Sequence, residues 1–367
     1  MNLLYLANSI VPSRTANSVH VMKMCSALAD NRTGVVKLYV PDVDSESDVY
    51  SYYGVDENFD IVRHKKNKNR FSWYSFSLRQ YIYVLNRESK DSLIYGRNLL
   101  SCMMLALSGY KVIYECHSPI SRYNFLIRML FSLSKSNFIK IVVISEKLKD
   151  ILFQEGVPSD KIEVLHDAAD ETPEYLLEKV TNSNFNIGYI GHLYEGRGAD
   201  LVIEVAKKIP NANFHFYGGE ESDISNLKNI IDSSNIYFHG FLPPAKIPEV
   251  RASLDLLLAP YQESTSIQGK VNTSQYMSPL KIFEYMSSNR PFICSDLPVL
   301  REVLVNEHNC ILVKPDCIEG WVDAINRVIS NQEFSDSIAN NALNDFKVKY
   351  TWKNRAIKIR GMFDESV

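Results

Sequence analysis

Lys281 and Glu284 stand three residues apart in the stretch Tyr276-Met277-Ser278-Pro279-Leu280-Lys281-Ile282-Phe283-Glu284-Tyr285-Met286-Ser287-Ser288-Asn289-Arg290-Pro291. The stretch reads as a short helix whose start faces an anion. Ser278 suits the capping position and Pro279 the first helical one, where a missing N–H and a fixed φ cost nothing. Backbone N–H groups near Leu280 and Lys281, with the helix dipole and the Lys281 ammonium, would hold phosphate oxygens. Glu284 shares a face with Leu280 and Lys281 and can accept hydrogen bonds from a sugar's hydroxyls. Asn289 suits a left-handed terminating residue, Pro291 bars continuation, and Phe292-Ile293-Cys294 reads as a buried strand. The same local pattern also describes a capped surface helix with an ordinary Lys–Glu pair.

A second cluster is the loop Gly191-His192-Leu193-Tyr194-Glu195-Gly196-Arg197-Gly198, between a strand from Phe185 and a helix from Ala199 to Lys208. Its glycines permit close backbone approach to a ligand, and a cation beside a helix start favours phosphate. A tight strand-to-helix turn would want the same glycines. Arg97 and His117 follow two short strands, Ser92–Tyr95 and Val112–Tyr114. Ligands of open α/β sheets bind at the carboxyl ends of strands, although a lone His or Arg there also serves as a structural hydrogen-bonder.

These residues need a scaffold of parallel strands. Leu3–Ala7, a polar loop from Asn8 to Asn17, a helix over Ser18–Ala29 and a strand over Val35–Val40 make the opening of a doubly wound sheet. Further strands are expected at 141–144, 162–165, 213–217, 236–240, 253–258 and 310–313. A polar segment with Pro173 separates them into two groups. The chain of 367 residues therefore divides into a domain over 1–170, a linker over 171–186, a domain over 187–348 and a closing helix within 349–367. No G-x-G-x-x-G occurs, which argues against nicotinamide or flavin chemistry.

Composition narrows the class further. Hydrophobic content of 46% and charged content of 23% are those of a soluble globular protein. No apolar run approaches the roughly 20 residues of a membrane span, and the opening residues read as a strand rather than a signal peptide, so a cytoplasmic protein is expected. The six cysteines lack metal-ligand spacing and read as reduced, mostly structural thiols. A net charge of −3 argues against bulk nucleic-acid binding, yet residues 1–170 carry 21 basic and 18 acidic side chains, against 19 and 25 beyond. The basic half suits an anionic partner.

Two stretches interleave cations with apolar or aromatic residues. One holds Arg63, Lys65, Lys66, Lys68, Arg70, Arg79, Arg87 and Lys90 among Phe71, Trp73, Tyr74, Phe76, Tyr81 and Tyr83; the other, Arg122 to Lys140, holds Phe125, Leu126, Ile127, Met129, Leu130, Phe131 and Leu133. Either they form helices that pack apolar sides inward and solvate their charges, or they make peripheral contact with a membrane, at its inner face for a cytoplasmic protein, where rings sit at the headgroups and cations meet anionic lipid.

The Tyr276–Asp296 region resembles the signature of the retaining glycosyltransferases of family 4 (glycosyl transferases group 1), whose α/β fold, GT-B, has two Rossmann-like doubly wound domains facing across a cleft. That signature carries two glutamates separated by seven residues; Glu284 matches the second, and Tyr276 stands where the first would be. The resemblance covers nearly the whole chain and implies a retaining, metal-independent hexosyltransferase that moves a sugar from a nucleotide diphosphate donor to a glycan or lipid-linked acceptor. Lipopolysaccharide or capsule assembly is the setting it implies, with no cofactor beyond the donor substrate. It assigns Arg197 and Lys281 to the diphosphate, Glu284 to ribose hydroxyls, and His117, in the segment Glu115-Cys116-His117, to the reacting sugar. It also implies donor contacts at Gly191, His192, Tyr276, Ser278, Pro279 and Leu280, a base pocket at Gly240 and Phe241, and an acceptor side with Asn17, Arg97 and Ser145. His192 replaces the family's arginine, and Ala16-Asn17-Ser18 its glycine-rich first loop. Gln268 and Lys270 are further donor candidates. Asp42-Val43-Asp44 resembles the Asp-x-Asp metal site of the other large glycosyltransferase fold, but it lies in an acidic turn and no metal is expected. A sugar-nucleotide epimerase and a non-catalytic sugar-nucleotide-binding partner are the alternatives.

Overall fold

The computed structural model describes residues 1–30, 34–42, 48–65, 72–178, 184–194, 196–228, 231, 233–263, 266–267 and 271–365. The chain forms two compact units, one made of Met1–His166 with the chain from Trp352 onward, the other of Asp167–Thr351.

In the first unit, seven strands form one parallel sheet: β1 (Leu3–Leu6), β2 (Val36–Pro41), β3 (Asp60–His64), β4 (Leu93–Gly96), β5 (Lys111–Cys116), β6 (Lys140–Val143) and β7 (Ile162–Val164). Their order is β3-β2-β1-β4-β5-β6-β7. All four β1 residues are buried, as expected of a strand covered on both faces. β1 pairs with both β2 and β4, Leu3 lying opposite Val36 and Leu93. The strand order reverses between β1 and β4, and ligand crevices of this topology open where that happens, at the carboxyl ends. Arg97, immediately after β4, is tied there by its N–H to Leu6 O at 2.8 Å. The last helix, Trp352–Asp364, belongs to this unit and is fastened to the Ala16–Ala29 helix by Arg360 Nε on Leu28 O at 3.1 Å.

The second unit repeats the plan. β8 (Phe185–Ile190), β9 (Ala212–Tyr217), β10 (Ile236–Gly240), β11 (Leu256–Ala259), β14 (Phe292–Ser295) and β15 (Ile311–Val313) form a parallel sheet ordered β10-β9-β8-β11-β14-β15; β12 (Ser266–Ile267) and β13 (Val271–Asn272) form a separate antiparallel pair. The reversal falls between β8 and β11, so Gly191 and Pro260 mark the switch point. The Ala199–Lys208 helix buries Val202, Ile203, Val205 and Ala206 on one side, and Trp321 fills the same core.

Two expected details differ. The first helix begins at Ala16, two residues early, because Thr15 Oγ1 accepts the Ser18 N–H and caps it. The signature helix is Leu280–Met286, and its capping residue is Pro279 rather than Ser278. The Ser278 hydroxyl instead accepts the Asp167 N–H at 2.9 Å. Asn289 does take the left-handed conformation, with φ 52°.

Of the two basic-aromatic stretches, Lys66, Lys68, Arg70 and Phe71 lie outside the described residues. The first contains the Ser72–Arg87 helix, which buries Phe76, Gln80 and Val84. The second contains the Phe125–Ser134 helix, which buries only Ile127, Phe131 and Ser134. Phe125, Leu126, Met129 and Leu133 remain exposed, Phe125 by 74%. At 100° per residue these four share one stripe away from the buried side. The apolar side of this helix is therefore only partly packed on the domain.

Candidate functional site

In the second unit, β8 delivers Gly191 to the switch point, and the absence of a side chain there admits Lys281. A Cβ on Gly191 would stand 2.8 Å from Lys281 Nζ. The ammonium lies 4.4 Å from the Tyr189 ring centre and 5.4 Å from that of Tyr261, within range of the attraction between a cation and a ring face. Burial and the Arg197 charge push Lys281 down to about 7, with Glu284 pulling upward. A lysine so disposed gains when an anion arrives to share its site.

Arg197 joins it from the glycine loop. Its Cζ lies 5.3 Å from the Tyr194 ring and 6.0 Å from the Tyr261 ring, and its Nη2 donates to Tyr194 Oη at 3.1 Å. The loop is fastened by Tyr189, whose hydroxyl donates to His192 O at 2.5 Å and Arg197 O at 3.2 Å. Gly198 turns it into the following helix with φ 78°, and a Cβ there would stand 1.9 Å from Pro260 O. No other residue fits that turn. His192 stacks on Tyr194, 5.1 Å between centres, and desolvation with the Arg197 and Lys281 charges holds it below its ordinary pKa. His192 thus carries less positive charge at neutral pH than an arginine would.

Glu284 projects from the Leu280–Met286 helix, about one-third exposed, and its Oε2 lies 3.7 Å from Nη1 of the buried Arg251. The next residue, Tyr285, takes the Ile190 N–H and donates to Leu258 O, both at 3.3 Å, so it locks the helix to β8 and β11. Tyr276, Ser278 and Leu280 are buried beside this helix and Pro279 is partly exposed. Gly240 ends β10 with φ 74° and open space beside its Cα, and Phe241 follows it, half-buried. Gln268 and Lys270 lie outside the described residues.

In the first unit, His117 follows β5 and is oriented by Glu115 at the end of that strand, Nε2 to Oε1 at 3.0 Å. The same oxygen meets His20 Nε2 at 2.7 Å and Arg355 Nη2 at 2.7 Å, while Tyr5 Oη donates to Oε2 at 2.8 Å. Burial works to raise the Glu115 pKa, but His20, Arg355 and the histidine hydrogen bonds hold it well below the carboxylate range. His20, Glu115 and His117 are ligand-type groups in one place, yet the Arg355 guanidinium already neutralises the carboxylate, which disfavours a second cation there. Arg97 lies nearby on the switch-point end of β4, partly exposed, with Nη1 buried and without a hydrogen-bond partner. Asn17 is exposed in the first turn of its helix. Ser145 is buried, and its hydroxyl caps the Glu146–Gln154 helix by accepting the Leu148 N–H at 3.2 Å. Asp42 directly follows β2, with its N–H on His64 O, and Asp44 lies outside the described residues.

Tyr189, Tyr261, Arg251, His20 and Arg355 join these groups without having been singled out for a site role from sequence. Tyr189 and Tyr261 lie at the ends of adjacent strands, a signal readable only once the strand order is known.

Comparison with known proteins gives this geometry a context. Residues 184–331 match the family described as Glycosyl transferases group 1. An uncharacterized glycosyltransferase of Methanocaldococcus jannaschii, MJ1607, is 24% identical over 238 residues, 59% of this chain and 57% of that protein. A putative teichuronic acid biosynthesis glycosyltransferase of Bacillus subtilis, TuaH, is 24% identical over 114 residues, 30% of this chain and 27% of its own. The matches thus span about a quarter and just over half of these relatives. The crystal structure of Anabaena Alr3699/HepE in complex with UDP superposes over the full length of both chains with a TM-score of 0.73 at 15% identity. The two parallel-sheet, Rossmann-like domains are those of the GT-B fold.

Proposed function

We propose that the protein is a retaining, metal-independent glycosyltransferase that moves a hexosyl group from a nucleotide diphosphate donor to a glycan or lipid-linked acceptor in surface polysaccharide assembly. The observation that carries this is the meeting of Arg197 and Lys281 around Tyr261 at the switch point of the second sheet, inside the segment that matches the family. Two cations there hold a diphosphate and offset the charge that develops on it as the sugar departs. Glu284 receives the ribose hydroxyls, Gly240 and Phe241 border the base, and Tyr276 lies toward the sugar. His117, with Arg97, serves the reacting sugar and the acceptor. Retention, with a phosphate oxygen of the leaving group taking the acceptor's proton on the same face, rests on the family resemblance. The Anabaena protein has been crystallised with UDP-glucose, and TuaH's name refers to teichuronic acid biosynthesis; both support the reading.

Among the described residues, no helix is long and apolar enough to cross a membrane. The exposed stripe of the Phe125–Ser134 helix supports peripheral contact with an anionic membrane surface, since residues 118–140 contain Arg122, Arg128, Lys135 and Lys140 and no carboxylate.

The test is a thermal-shift screen of sugar nucleotides, followed by transfer assays with the donor that stabilises the protein. A ligand that binds only the folded state raises its apparent stability. Isomerisation of donor incubated alone would replace this reading with an epimerase. Donor binding without transfer or hydrolysis would replace it with a non-catalytic binder.

A further inference from the structure

Glu115 gathers donors from three distant parts of the chain onto one buried carboxylate. His117 comes from the loop after β5, His20 from the Ala16–Ala29 helix, and Arg355 from the last helix, 240 residues away. The last helix is itself anchored at this point, since Arg355 Nη1 donates to Leu165 O at 3.1 Å. Trp352, one turn earlier, meets the His20 ring edge-on at 4.9 Å, and His20 meets His117 edge-on at 5.2 Å. The His117 ring is thus held through Nε2 and braced on one side by an imidazole that the last helix also braces.

We infer that Glu115 and Arg355 are positioning residues, which fix His117 with its proton on Nε2 and leave Nδ1 as the atom that accepts a hydrogen bond from a hydroxyl. The physical basis is that the hydrogen bond made by one ring nitrogen decides which nitrogen carries the proton. A carboxylate only accepts, so the nitrogen facing Glu115 must donate. His20 and Arg355 keep Glu115 in that state, because a buried carboxylate without a counter-charge would take up a proton. The neutral groups around Glu115 do not compete for the role. Tyr5 donates to the second carboxylate oxygen, and burial raises Tyr5, Tyr95 and Cys25 well above their ordinary values, so they remain neutral. The part of the inference that concerns catalysis rests on His117 acting on the bound sugar or acceptor; the part that concerns the tautomer does not.

Nitrogen-15 NMR of histidine-labelled wild-type protein, at a pH where His117 is neutral, reads the tautomer without any substrate. The Nε2–H form is the expected result, and the Nδ1–H form would overturn the inference whatever reaction the protein performs. In transfer assays, Glu115→Gln is expected to lower kcat about 100-fold, a loss typical of a misoriented catalytic group, with donor KM changed by less than about threefold. Because Glu115→Gln also removes the counter-charge of Arg355, Arg355→Lys is run in parallel; it keeps the charge and loses the fixed fork. The decisive readout is the double mutant with His117→Gln. If Glu115 and Arg355 act through His117, adding either substitution to His117→Gln costs nothing further. A loss of the same factor in both backgrounds would mean a merely structural role and would sink the inference.

Discussion

Arg251 Nη1 stands 3.7 Å from Glu284 Oε2, a buried guanidinium held against a carboxylate that is still about one-third exposed. The pair is asymmetric in its consequences. Burial pushes Arg251 below its ordinary pKa, and Glu284 is the first group that restores it. Removing the carboxylate leaves a buried cation short of a partner, the costly way to break an ion pair. Exposure of Glu284 and the long separation reduce that cost. Glu284→Gln is therefore expected to lower stability by about 1–2 kcal/mol, a few degrees in Tm for a protein of this size, as well as to weaken donor binding. Calorimetry with and without nucleotide separates the two effects. An unchanged Tm would show that Arg251 does not depend on Glu284.

Arg197 and Lys281 are expected to act on donor binding and turnover together. Each charge-assisted hydrogen bond to a phosphate is worth about 1.5–3 kcal/mol, so Arg197→Ala and Lys281→Ala should each weaken donor affinity about 10- to 100-fold and slow transfer. His117→Ala should mainly lower kcat. Isothermal titration and steady-state kinetics test this, and unchanged transfer in all three variants would refute the site assignment.

Lys281 also sets a pH dependence. With its pKa near 7 in the free protein, the lysine is charged below that value and neutral above it. A bound diphosphate favours the charged form, so above pH 7 binding must draw in a proton. Donor affinity is expected to fall by up to about tenfold per unit between pH 7 and 9. Lys281→Arg, charged throughout, should flatten the profile. For the ligand-free protein the sign is opposite. Between about 7 and the ordinary lysine value of 10.5 the unfolded chain holds one more proton than the folded one, so this group makes stability rise with pH across that window. Lys281→Met should remove the rise. Titrations of the donor and of urea unfolding at several pH values check both signs.

What the sequence made legible follows from the range of each interaction. The Gly191–Gly198 loop and the Lys281–Glu284 spacing are local patterns, the first directly after a strand and the second in the helix that leads into one, and short apolar runs already marked both strands. The doubly wound sheets were legible for the same reason. Ser278 was misread because its local environment suits a cap, whereas its hydroxyl is claimed by Asp167, 111 residues away in the chain. The Glu115 cluster was only half visible. His117 could be placed from its strand, but His20 and Arg355 reach Glu115 through helix packing that no local spacing encodes. The Phe125–Ser134 helix shows the converse. Its sequence is amphipathic enough to predict a packed side, yet in the fold Phe125, Leu126, Met129 and Leu133 point away from the core.

That exposed stripe gives the last prediction. Four large apolar side chains in water gain by entering a headgroup layer, each by up to about 1.5–3 kcal/mol when fully buried, and the neighbouring cations add about 1 kcal/mol apiece near an anionic surface. The protein is expected to sediment with vesicles containing phosphatidylglycerol at low salt and much less with pure phosphatidylcholine. Phe125→Ser with Leu133→Ser should reduce that binding at least tenfold while leaving Tm nearly unchanged, because neither side chain belongs to the core. Raising the salt should weaken binding through Arg122 and Arg128, since screening acts on charges and spares the apolar term. Equal recovery in the pellet with and without anionic vesicles would remove the membrane from the proposal and leave the stripe as a surface for some other partner.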